Sequence, residues 1–144
     1  MSSSGPGHAK RVGDWMHAGV VSCPTDASLT EVARIMSDHR VHAVAVADIE
    51  HSRPWGTWHM ITDAALMKAL ANGEPRTAIE VAGPDAYTIS AGESVNQAAI
   101  LMADHGVSHL VVMHEAAGYP IGIISTLDVA AAHAEAPAKE ARAR

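Results

Sequence analysis

The stretch GIISTLDVA, residues 122–130, ends an apolar run in two hydroxyls and one carboxylate: Ser125, Thr126 and Asp128. These residue types at this spacing suit a ligand that carries both an anion and a sugar. A strand that turns into a helix here leaves backbone N–H groups unpaired at the helix start, and these groups with the helix dipole attract negative charge. Ser125 can add a hydroxyl contact to a phosphate, with Thr126 beside it. The two oxygens of Asp128 can accept from both hydroxyls of a ribose. Gly122 permits close approach to the strand backbone, and Ile123 and Ile124 form its apolar sides. The spacing has a second meaning. A serine followed three residues later by an acid is also a capping box, which needs no ligand. An acid in a first turn is stabilising in any case, by about 0.3–1 kcal/mol.

Other chemistries find less support. GIISTLD is not the Gly-x-Ser-x-Gly elbow of an esterase, and no base is placed by sequence. Of the ten histidines, His39 and His105 fall at helix ends, where a cationic ring complements the dipole. His42, His109 and His114 lie on or beside strands. No cysteine cluster and no pair of histidines on one helix with a carboxylate marks a metal site. Cys23 is the one cysteine, so no internal disulfide can form and a reducing, cytoplasmic setting is expected. The net charge of −6 and the scattered Lys and Arg argue against a nucleic-acid groove. No apolar run approaches about 18 residues, so no membrane span is expected.

The elements that must position Ser125 and Asp128 come from a unit written twice. Residues 28–46, SLTEVARIMSDHRVHAVAV, align without a gap on 94–112, SVNQAAILMADHGVSHLVV, at an offset of 66. The identities include Ser28/Ser94, Ala33/Ala99, Met36/Met102, Asp38/Asp104, His39/His105 and Val41/Val107. Each copy reads alike: a short apolar stretch (19–23 and 86–90), a capping box (Ser28 with Glu31, Ser94 with Gln97), and an amphipathic helix. A β-branched run (41–48, 107–114), a turn, a third strand and an Ala-rich helix (62–73, 126–134) follow. Gly73 suits a C-cap. The order strand, helix, strand, strand, helix predicts an α/β fold of two pseudo-twofold-related β-α-β-β-α repeats packed together, strands two and three pairing. The core must come from Val, Ile, Leu, Met and Ala, because the chain has no Phe. The expected organisation is a disordered arm (1–11), repeat 1 (12–73), a linker (74–77), repeat 2 (78–134) and a frayed tail (135–144). The arm has no apolar segment behind its charges, unlike a signal peptide.

In repeat 1 the best register shifts by three residues, laying MITDAA over IISTLD. Thr62 then takes the place of Ser125 and Ala65 that of Asp128. The two halves should therefore differ, with the Asp128 half the better nucleoside site and the other vacant, weak or filled by Trp58.

MSDHRVHAVAVAD, MADHGVSHLVVMH and GIISTLDVA resemble the cystathionine-β-synthase (CBS) domain, the last fitting its Gly–apolar–apolar–Ser/Thr–x–x–Asp ligand motif. The resemblance covers roughly residues 12–134, and two copies look like a CBS pair, the Bateman module. It implies a stand-alone, non-enzymatic regulatory module that requires no cofactor. Such a module would bind an adenosine-containing molecule (AMP-, ADP- or ATP-like) between its repeats and act on an unknown regulated protein. Carried over position by position, the ligand would meet Met16, Val21, Ser22, His109, Ile124, Ser125, Thr126 and Asp128, with Thr62 and Tyr87 in a second, weaker cleft. His109 falls where the family often has a basic residue directed at phosphate. A histidine, with a reference pKa of about 6.5, would hold phosphate weakly at neutral pH. The family also implies a homodimer formed through helices. Two further readings stay open: a ligand-free structural or interaction domain, and a His-based metal- or pH-responsive protein.

Overall fold

The computed structural model describes residues 10–48, 57–73, 75–83 and 86–135. In chain order its elements are α1 (Val12–Trp15), β1 (His17–Ala18), β2 (Ser22–Pro24), α2 (Leu29–His39), β3 (Ala43–Asp48), β4 (Thr57–Thr62) and α3 (Asp63–Asn72). There follow α4 (Ala78–Val81), β5 (Thr88–Ser90), α5 (Val95–His105), β6 (His109–Met113), β7 (Pro120–Ser125) and α6 (Thr126–Ala134). The fold is α/β, and each repeat carries the expected order of strand, helix, strand, strand, helix.

The helix starts follow the sequence closely because their signals are local. At Ser28 the capping box is complete: Glu31 N–H donates to Ser28 Oγ at 3.1 Å and Ser28 N–H donates to Glu31 Oε1 at 3.3 Å. At Ser94 the box is half made, with Gln97 N–H donating to Ser94 Oγ at 3.0 Å. The helix ends are equally local. Gly73 (φ 73°) and Gly106 (φ 63°) close α3 and α5 in the left-handed region that glycine adopts without steric cost. Arg40 closes α2 in the same conformation (φ 53°), which a side chain disfavours.

The chain divides into two compact units, one taking in the described residues of 20–86 and the other those of 1–19 and 87–144. In the middle unit (20–86) a three-stranded sheet runs in the order β2-β3-β4. β2 lies parallel to β3, and β3 antiparallel to β4 with Ala43 opposite Thr62. Val44, Val46 and Ile61 from this sheet pack with Val32 of α2 and Leu66 of α3. In the split unit a four-stranded sheet runs β1-β7-β6-β5. β5 lies parallel to β6, and β6 antiparallel to β7 with His109 opposite Ser125. Its core gathers Val12, Ile89, Ala98, Met102, Leu110, Val112 and Ile124. Burying each large aliphatic side chain stabilises the unit by about 1.5–3 kcal/mol.

Each repeat lends its leading segment to the other repeat's unit. α1 and α4 stand 66 residues apart, the repeat offset. Arg11 bridges Ser94 and Thr77 bridges Ser28. Val12 N–H donates to Glu93 O, and its counterpart Ala78 N–H donates to Ala27 O, both at 2.8 Å. In the split unit the exchange is reinforced by Lys10. Its ammonium donates to Ala132 O and Glu135 O at the end of α6, both at 2.5 Å, and lies 5.2 Å from the centre of the Trp15 ring. A cation suits a helix C-terminus, where carbonyls lack partners. Among the described residues no helix is long and apolar enough to cross a membrane. Trp55 lies outside the described residues, and Trp58 is described only by its backbone place in β4.

Candidate ligand-binding site

β7 ends at Ser125 and α6 begins at Thr126, so the hydroxyl pair and the carboxylate stand at a strand-to-helix junction, as expected. The local bonding there is a complete capping box. Asp128 N–H donates to Ser125 Oγ at 3.2 Å. Ser125 returns two bonds to Asp128 Oδ2, from its backbone N–H at 2.9 Å and its hydroxyl at 3.0 Å. The other oxygen, Oδ1, lies 3.1 Å from His17 Nε2. The carboxylate is thus held by its own helix on one side and faces an imidazole on the other. Thr126 N–H donates to Ser108 O at 2.9 Å. Two of the first three N–H groups of α6 are therefore already paired, fewer open donors than the sequence suggests for an anion.

His17 is the residue that sequence reasoning missed. It belongs to β1, paired antiparallel with β7 in the register His17 to Ile123 and Ala18 to Gly122. Gly122 is what permits this pairing. A Cβ at that position would lie 2.5 Å from His17 O and 2.6 Å from Met16 Sδ, too close for any side chain. The close approach inferred for Gly122 is thus to the segment that delivers His17.

Of the residues expected at a ligand, Met16, His109, Ile124, Ser125, Thr126 and Asp128 all belong to the split unit. Met16 packs on the core and against Gly122. His109 lies opposite Ser125 on β6, its Nδ1 2.8 Å from Ser108 Oγ. Ile124 is fully buried in the core, so its side chain is spent on packing. Val21 and Ser22 belong to the middle unit, where Val21 O accepts from Ala45 N–H at 2.9 Å and Ser22 pairs with Ala45 on β3.

The corresponding junction of the middle unit confirms the three-residue shift. Thr62 caps α3 by accepting from Ala65 N–H at 3.2 Å, as Ser125 accepts from Asp128. Asp63 N–H donates to His42 O as Thr126 N–H does to Ser108 O. Here the carboxylate sits one residue into the helix: Asp63 Oδ2 lies 2.9 Å from His42 Nδ1. Tyr87, expected beside Thr62, belongs to the split unit, where its ring stacks on His105 with centroids 3.9 Å apart.

The remaining chemistry is limited. Burial, helped by the charge of Glu31, pushes the Cys23 thiol up to about 11, which keeps it protonated and unreactive at neutral pH. Among the described residues no three His, Cys, Asp or Glu side chains gather where they could hold a metal ion. On the helical side of the split unit, a groove of about 760 Å³ runs between α5 and α6, lined by Val95, Ala99, Val129 and Ala130 with Lys10 and His133.

The sequence profile of the CBS domain matches residues 12–72 and 78–135. Among solved structures, the chain is similar to the CBS domain pair of protein MJ0100, crystallised with 5′-methylthioadenosine and S-adenosyl-L-methionine. That match has a TM-score of 0.74 at 23% identity and covers 87% of this chain and 96% of that one. Hypoxic Response Protein I, crystallised with two coordinated zinc ions, matches at 30% identity and TM-score 0.63 over 85% of this chain and 98% of its own. A CBS domain protein of Pyrobaculum aerophilum complexed with AMP matches at 24% identity and TM-score 0.68, over 82% and 88% of the two chains. No curated protein matches. The two matched segments are also the two halves whose elements repeat, at an offset of 66 as far as β3 and β6 and of 63 from β4 and β7 onward, and the chain belongs to the CBS domain family as a pair of CBS repeats.

Proposed function

We propose that this CBS pair is a regulatory, non-catalytic module that senses an adenosine-containing molecule through Asp128. The observation that carries the reading is the state of that carboxylate. It is fixed by Ser125 at a strand-to-helix junction, and its second oxygen faces only an exposed imidazole among the contacts described. A pre-oriented acceptor of this kind suits the paired hydroxyls of a ribose. Two structures with this fold hold 5′-methylthioadenosine with S-adenosyl-L-methionine and AMP respectively, which supports the same ligand class here. The paired N–H groups of Thr126 and Asp128 favour ligands that depend little on phosphate. Ala65 leaves the middle unit without the acid, so one strong site per chain is the expected stoichiometry. Ligand would act by favouring one arrangement of the protein over another, to be read by a partner.

Exposed apolar side chains on the helices, Met67 and Leu70 on α3 and Ile100 on α5, support a homodimer formed through helical faces. A second reading, a ligand-free interaction domain, is favoured by the fact that both Asp128 oxygens have contacts within the chain.

A thermal-shift panel of AMP, ADP, ATP, S-adenosylmethionine, NAD and divalent metals separates these readings. A ligand at about 100 times its Kd should add about 2.7 kcal/mol. A shift with an adenosine compound supports the sensor, a flat panel the interaction domain, and a shift with metal alone a His-based metal site.

A further inference from the structure

We propose that His17 is a built-in competitor for the ligand's sugar hydroxyls: it occupies the Asp128 oxygen that would accept them, and ligand enters as the imidazole leaves. The inference deepens the adenosine reading and rests on it.

Three observations carry it. The first is the division of labour between the carboxylate oxygens. Oδ2 takes both bonds from Ser125, which leaves Oδ1 as the acceptor for anything outside the helix, and His17 Nε2 stands 3.1 Å from it. The second is the contrast in exposure. The Asp128 side chain is 13% exposed and stays where its helix holds it, whereas that of His17 is 76% exposed and can swing into water without leaving a cavity. Its backbone need not move, because β1 is paired to β7 beside Gly122.

The third observation comes from the middle unit. Gly83 follows α4 by two residues, as His17 follows α1, and its N–H donates to Met60 O on β4, the counterpart of β7. There a glycine replaces the imidazole, and Ala65 replaces the acid. The positions of His17 and Asp128 thus hold their two groups in the split unit alone, while the middle unit builds its own imidazole–carboxylate pair, His42 with Asp63, from other positions and leaves the third residue of its helix without an acid.

Calorimetric titration with AMP and with S-adenosylmethionine tests this on the full chain, His17→Ala, His17→Gln and Asp128→Asn, with melts to confirm that each variant folds. His17→Ala should bind about two- to five-fold tighter than the parent chain, the range an exposed pair of this kind gives up. His17→Gln, which keeps a donor, should fall between them, and Asp128→Asn should lose binding. Equal or weaker binding by His17→Ala, with binding still lost in Asp128→Asn, overturns the competition and leaves the adenosine reading standing. Absence of binding in every chain, or binding that survives in Asp128→Asn, overturns both.

Discussion

Ala65 stands in the middle unit where Asp128 stands in the split unit. Each donates its backbone N–H, at 3.2 Å, to the cap hydroxyl three residues earlier, Thr62 Oγ1 in one and Ser125 Oγ in the other. The two junctions therefore share one backbone design and differ in where the acid stands: on the third residue of α6, Asp128, in one and on the first residue of α3, Asp63, in the other. In the function proposed above, that difference makes the Asp128 junction the ligand site.

Asp128 has a structural duty apart from any ligand. Asp128→Ala removes the acceptor of both Ser125 bonds, while Ser125 can still cap the helix. Urea unfolding should show a loss of about 0.5–1.5 kcal/mol with the chain still folded. Ser125→Ala breaks the cap itself and should cost at least as much. Loss of the cooperative transition in Asp128→Ala would mean that the carboxylate supports far more than its helix start.

Gly122 should tolerate no side chain. The added methyl of Gly122→Ala would meet His17 O and Met16 Sδ, so β1 must move away from β7. The expected loss is about 1–3 kcal/mol by chemical denaturation. Because this variant also disturbs His17, its affinity for AMP should change as well. Parent-like stability would contradict the close approach.

The two equivalent helix ends differ in how they meet a left-handed residue. Arg40→Gly places at the end of α2 the residue that Gly106 already supplies at the end of α5. It should raise stability by about 0.5–1 kcal/mol, and Gly106→Ala should lower it by about 1 kcal/mol or more. Melting curves of the two variants should thus shift in opposite directions.

Cys23 provides a pH test. Its thiol is raised from 9.0 to about 11 in the folded chain, chiefly by burial and then by Glu31. Between these values the unfolded chain loses the proton and the folded chain keeps it, so stability is intact below pH 9, falls above it and levels off beyond about 11. The loss should be on the order of 2 kcal/mol. Cys23→Ser should flatten that part of the profile, and the native thiol should react slowly with alkylating reagents at pH 8.

Much of this fold is legible in the sequence because its signals are short in range. Ser28, Ser94, Thr62 and Ser125 each begin a helix by bonding three residues ahead, and Gly73 ends one. The offset of 66 relates α1 to α4 as well, yet these four-residue helices carry too little apolar periodicity to be seen without that comparison. Their exchange between units is not legible at all, because it depends on backbone pairings such as Arg11 with Ser94, far apart in the chain. His17 was hidden for the same reason. Its strand has two residues, and its partner Asp128 is brought to it only by the β1–β7 pairing. The one local hint was Gly122, a strand glycine that had to be making room for something.

The central claim is that one carboxylate of one unit makes the ligand site. Calorimetric titration of AMP into the parent chain, Thr62→Ala and Asp128→Asn tests it most directly. The account predicts one site per chain, kept in Thr62→Ala and abolished in Asp128→Asn. Two equal sites per chain, or binding that persists in Asp128→Asn, would contradict it.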